Sequence, residues 1–292
     1  MVHHEDWYLS TYSTNDNITL KRSRALTDNW DNAETKLVFK PDSSSGEPWS
    51  TDSHSRRRLT PPSTRRDVPI RMSGREPPNV RPRERRAGPL DSNYTVKGML
   101  NTFDQFAIDG TYIRHKDVLY HIYSCWKNFY GAWPANLCIT RLSNPWNISS
   151  TLTERRTISF PNEPWNKPHT DGPTGQNLVL YSAARVNTPF YCLGMLDLVG
   201  DDLMEYQSWK KHRDGCFFHQ NPDAGVYGTG HASYTTSPEG SESYVVYPAL
   251  TTNDPDEFYR TVRTQKMEWN EDGTLSFPKA MNGPFPVPKG QH

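Results

Sequence analysis

The chain has 292 residues, with 33 basic and 33 acidic side chains. That length allows one large all-β domain or two ordinary ones, and the charge balance excludes a global field that would draw an anionic partner. Only 34% of the residues are apolar, yet 12% are aromatic, with 24 Pro and 18 Gly; this mix favours short strands and turns over helices.

In chain order, an aromatic-rich strand, a turn, a second strand and a Trp recur. The first copy runs from Asp6 to Trp30 (DWYLSTYST, then NITLKRSRALTDNW). Next comes a run of different character. His54 to Gly88 holds 11 Arg and 6 Pro in 35 residues and no aromatic residue. Such a run cannot form a buried strand and reads as a disordered insert. A flexible basic segment binds nucleic acid only non-specifically, so no nucleic-acid partner is expected. FAIDGT follows, with Asp109 between an apolar pair and a Gly-Thr turn. The second copy spans Asp117 to Trp146, where Val118, Tyr120 and Ile122 alternate with Leu119, His121 and Tyr123, the period of a strand. The third covers Asn177 to Trp209 and the fourth Glu242 to Gly273. Repeats of this size built from short antiparallel strands predict propeller blades, with a sandwich as the alternative.

The four cysteines, Cys125, Cys138, Cys192 and Cys216, lack CxxC metal spacing. They read as buried thiols, or as the pairs Cys125–Cys138 and Cys192–Cys216 if the chain is exported. Three glycosylation sequons begin at Asn17, Asn93 and Asn147. No apolar run is long enough to span a bilayer, and MVHHEDWYLSTYST has no signal-peptide pattern.

FAIDGTY with LYHIYSCW and WPANLCIT, TGQNLVLYSAA, YGTGHASYTTSPEG and RTQKMEWNEDG together resemble glycoside hydrolase family 43, in its fungal arabinofuranosidase and xylosidase-like branch. The resemblance covers roughly residues 1–53 and 90–292. It implies a single five-bladed β-propeller domain over 1–292, degraded or disordered at blade two, where the Arg/Pro run replaces an aromatic strand pair. That run reads as an out-of-frame or mis-spliced translation. The implied activity is inverting hydrolysis of arabinofuranosyl or xylosyl linkages in plant cell-wall polysaccharide or oligosaccharide. The implied setting is an extracellular monomer, with no cofactor required and room for a central calcium or sodium ion. A non-catalytic sugar-binding relic is the alternative.

Inversion needs two carboxyl groups about 6.5–9.5 Å apart, one activating water and one protonating the leaving oxygen; a third raises the acid's pKa by like-charge repulsion. Asp109 matches the third of these. Asp171, in Asp171-Gly172-Pro173, stands where the family has its acid Glu, and the base is expected upstream of Met1. Glu163 reads as loop, and Asp6 as a turn residue. His231 matches a histidine near the propeller axis and is the candidate ion ligand. Phe106, Trp126 and Trp133 are candidate sugar platforms. Arg260 and Arg263 lie on one strand, with Arg263 the candidate substrate contact, and Tyr247-Pro248 replaces a family histidine.

Overall fold

The computed structural model describes residues 1–13, 17–40, 70–72, 90–91, 94–96, 100–102, 107–126, 134–167, 170–175, 178–254, 256–257, 259–271 and 274–291. Four antiparallel sheets are arranged as blades. Blade one orders β1 (Val2–His4), β2 (Trp7–Ser13), β3 (Ile18–Ser23) and β4 (Glu34–Phe39). A ribbon of β5 (Ile70–Met72) and β6 (Tyr94–Val96) follows. Blade two runs from β7 (Ala107–His115) through β8 (Val118–Trp126) and β9 (Ala135–Asn144) to β10 (Asn147–Ile148), with β11 (Arg156–Ser159) also on β9. Blade three orders β12 (Thr170–Gly175), β13 (Leu178–Ala183), β14 (Cys192–Leu198) and β15 (Trp209–Lys211). Blade four orders β16 (Ser233–Thr236), β17 (Ser243–Leu250), β18 (Arg260–Trp269) and β19 (Leu275–Ser276).

The expected fifth blade is therefore corrected: among the described residues the propeller has four. Between β4 and β7 the described chain provides two three-residue strands, too few for a four-stranded blade. The composition of 54–88 accounts for this, because proline removes a ladder donor and a dense run of arginines cannot all find partners in a buried sheet. Most of that insert, and its expected disorder, falls outside the described residues; Ile70–Met72 is the exception.

Each repeat read from the sequence supplies the middle strands of one blade. A two-residue turn with positive φ closes the innermost hairpin of blade two: Lys116 and Asp117 have φ of 45° and 64° between the paired His115 and Val118, the geometry that matches strand twist. The core lies between blades. Ile113, Ile122, Leu137, Ile139 and Ile158 of blade two meet Val179, Tyr181 and Leu196 of blade three, with Met204 and Trp209. Leu193 and Phe218 meet Val245, Tyr247 and Met267 of blade four. Tyr8, Leu26 and Trp30 meet Tyr244 and Val246. At about 25 cal/mol per Å² of apolar area, such clusters are what bind the blades together.

The ring closes between blades four and one through polar contacts as well. Tyr8 donates its hydroxyl to the Thr236 carbonyl at 2.9 Å. Near the C-terminus, Gln291 accepts the Leu26 N–H at 2.6 Å and donates to Thr27 Oγ1 at 2.9 Å. Both cysteine pairs are closed as disulfides, Cys125–Cys138 and Cys192–Cys216. The buried-thiol reading is thereby corrected in favour of the paired one.

Candidate active site

The innermost strands β1, β7, β12 and β16 pack around the axis. Their first residues share one end of the ring, the mouth. There Met1 N–H donates to Ser233 Oγ at 2.8 Å, and His231 N–H donates to Ser182 Oγ at 2.7 Å. At the opposite end, Lys116 pairs with Asp201 at 2.7 Å, and Asp6 lies in an exposed turn against Arg24. Asp6 is thus remote from the mouth.

Asp109 lies at the mouth, in β7. Ile108 pairs with Ser124 and Thr111 with Ile122, so Asp109 and Gly110 together face Tyr123. This is a β-bulge, and Asp109 takes it with φ at 54°. A left-handed backbone costs a non-glycine residue about 1–2 kcal/mol, and such strain gathers at functional sites. Burial pushes the Asp109 carboxyl up to about 7, against the opposing pull of the Arg260 guanidinium. Arg260 opens β18 opposite Leu250.

Blade three repeats the device. Asp171 pairs with Ser182 and Thr174 with Leu180, so Gly172 and Pro173 bulge opposite Tyr181. Tyr123 and Tyr181 are both fully buried. Gly194 faces Tyr181 across the ladder, and a Cβ there would sit 2.4 Å from the ring; glycine is what lets the ring lie flat. Asp171 therefore holds the ladder position that Ile108 holds in blade two, one residue out of step with Asp109. The buried Ser182 joins Asp171's ladder position to the His231 loop, where His231 itself has φ of 60°.

The remaining candidates divide. Trp126 ends β8 opposite Ala135 and is partly buried. Phe106 and Trp133 lie outside the described residues. Arg263 is 3% exposed and donates to the carbonyls of Ala249 at 2.7 Å and Thr261 at 3.0 Å, and to Asn282 Oδ1 at 2.9 Å. It fastens the chain around Asn282 to blade four, whereas Arg260 acts on the Asp109 carboxyl through its charge. Glu163 pairs with Arg213 at 3.1 Å beside a short helical turn, Pro164–Asn166, which places it in the loop. Pro248 sits in β17 opposite Val262. Among the described residues no three His, Cys, Asp or Glu side chains gather as an ion site.

A cavity of about 560 Å³ opens beside the mouth, in the end loops of blade three, with Trp165, Lys167, Arg185, Phe190, Cys216 and His219 on its walls. Trp165 stacks on Tyr181 at 6.5 Å and 27°. The residues of this cavity come from three separate loops, so no spacing in the sequence announces it. Ser182 was equally hidden; its trace is the blade-to-blade match of Tyr123-Ser124 with Tyr181-Ser182.

The model of glycosyl hydrolases family 43 matches residues 86–275. An alpha-L-arabinofuranosidase B of Pyricularia oryzae is 30% identical over 223 residues, covering 70% of this chain and 43% of that protein. An extracellular exo-alpha-(1->5)-L-arabinofuranosidase of Streptomyces avermitilis is 33% identical over 209 residues, covering 65% and 42%. The chain thus spans less than half the length of these relatives. A solved alpha-L-arabinofuranosidase from Lactobacillus brevis shares the fold with a TM-score of 0.74 at 21% identity, over 98% of this chain and 92% of that one.

Proposed function

The chain belongs to glycosyl hydrolases family 43, and from that premise we propose that its mouth hydrolyses O-glycosyl bonds in arabinose- or xylose-containing plant polysaccharide, with inversion at the anomeric carbon. The observation that carries this reading is Asp109: a carboxyl group in a left-handed bulge, pushed up to about 7, with Arg260 acting on it. A partly buried acid in a left-handed bulge is costly to the fold, and carboxyl groups tuned in this way suit proton transfer near neutral pH.

In the reaction, Asp171 stands in for the acid that protonates the leaving oxygen. Asp109, from the neighbouring strand, raises that acid's pKa when ionised and orients it when protonated. Arg260 sets the balance between these two states. Water attacks the anomeric carbon from the opposite face and gives its proton to a base carboxylate on that face, while the leaving alcohol departs with the proton from Asp171 as the new C–O bond forms. Two closed disulfides support an exported protein, because such bonds persist in oxidising surroundings.

The test is to follow p-nitrophenyl α-L-arabinofuranoside and p-nitrophenyl β-D-xyloside by proton NMR with the purified chain. The reading expects turnover of at least one, with the inverted anomer appearing first. Retention of configuration, or no turnover of either, would defeat it.

A further inference from the structure

We propose that the cavity beside the mouth is a subsite for a sugar unit bearing a carboxylate, a hexuronate on the polysaccharide. This deepens the hydrolase reading above and rests on it. At about 560 Å³ the cavity falls within the about 300–1,000 Å³ of small-ligand sites. Its walls come from the segment that leads from β11 into β12, the loop between β13 and β14, and the segment that follows β15.

Its chemistry is aromatic and cationic. Trp165 is held by its stack on Tyr181 and by donating its indole N–H to the Arg213 carbonyl at 3.1 Å. Phe190 stands on the rim at 66% exposure. Flat faces of this kind pack against the C–H faces of a sugar ring. Lys167 and Arg185 lie on the walls with His219, and no Asp or Glu lines the cavity among the described residues. Other cations nearby are already engaged: Arg213 pairs with Glu163 at 3.1 Å, and Lys211 donates to Asn162 Oδ1 at 3.1 Å. Lys167 and Arg185 form no ion pair among the described residues. Two cations over an aromatic wall suit a ring that carries negative charge, and guanidinium matches carboxylate with two parallel donors. The Cys192–Cys216 disulfide fixes one wall, which lowers the ordering cost of binding on that side.

The experiment is calorimetric titration of a glucuronate-bearing xylo-oligosaccharide beside the neutral oligosaccharide of the same length. The parent is compared with Lys167→Gln/Arg185→Gln and with Phe190→Ala; all three positions are on the surface or its rim, so folding should be retained. The acidic sugar is expected to bind about 3–10-fold tighter, in line with about 1 kcal/mol for partly exposed ion pairs. That preference should vanish in the double variant, and Phe190→Ala should weaken both sugars. Equal binding of the two sugars by the parent, a preference that survives the double substitution, or binding indifferent to Phe190→Ala would each overturn the proposal. Binding is read without turnover, so an inert chain that keeps the acidic preference defeats the hydrolase reading alone.

Discussion

Asp109→Asn is expected to be more stable than the parent at pH 8, by up to about 4 kcal/mol. In the unfolded chain this carboxyl gives up its proton near its usual 3.8, and in the fold only near 7. Between those values the folded state holds more protons than the unfolded one, so stability falls as pH rises from about 4 to about 7. The full loss is present above 7. A difference of about three units at about 1.4 kcal/mol each sets the upper bound; the residue's partial exposure reduces it. Asparagine cannot ionise, and it tolerates left-handed backbone better than most residues. The gap in denaturant midpoint between variant and parent should therefore be small at pH 4, widen to pH 7 and then level off. A gap independent of pH would mean that the carboxyl ionises as freely in the fold as in water.

Asp171→Glu is expected to raise kcat/KM by about 10²-fold. Aspartate is one methylene shorter than the glutamate that the family resemblance implies at this position, and a misplacement of about 1 Å can cost about that factor. The substitution lengthens the acid without moving β12, whose ladder with β13 is set by backbone pairing on both sides of the bulge. The gain should appear in kcat more than in KM, because the proton transfer is completed in the transition state. An unchanged or lower rate would remove Asp171 from the acid's role.

The sequence repeats mapped directly onto the fold. The four copies of strand, turn, strand and Trp are β2–β3, β8–β9, β13–β14 and β17–β18, strands of six to ten residues in which alternation is a strong signal. The fifth blade came from the resemblance and not from a fifth repeat. Period two also bears on the arginines: residues 260 and 263 are an odd number apart, so they face opposite sides of β18. The charge of one acts on Asp109 while the other is locked to the carbonyls of Ala249 and Thr261. Which arginine does which depends on how blade four packs, and that is a long-range property. The bulge at Asp109 is hidden for the same reason. An Asp-Gly pair in a strand suggests a turn, and only the register across β8 makes it a bulge. The cysteine pairing was open because it depends on which strands are neighbours.

The account stands most directly on whether Asp109 is needed for hydrolysis. Turnover of p-nitrophenyl α-L-arabinofuranoside and β-D-xyloside is measured for the parent and Asp109→Asn, both shown to be folded by their unfolding transitions. The prediction is measurable turnover in the parent and a fall of at least about 10²-fold in the variant, the scale of losing a positioned acid–base group. Equal turnover in the two proteins would contradict it.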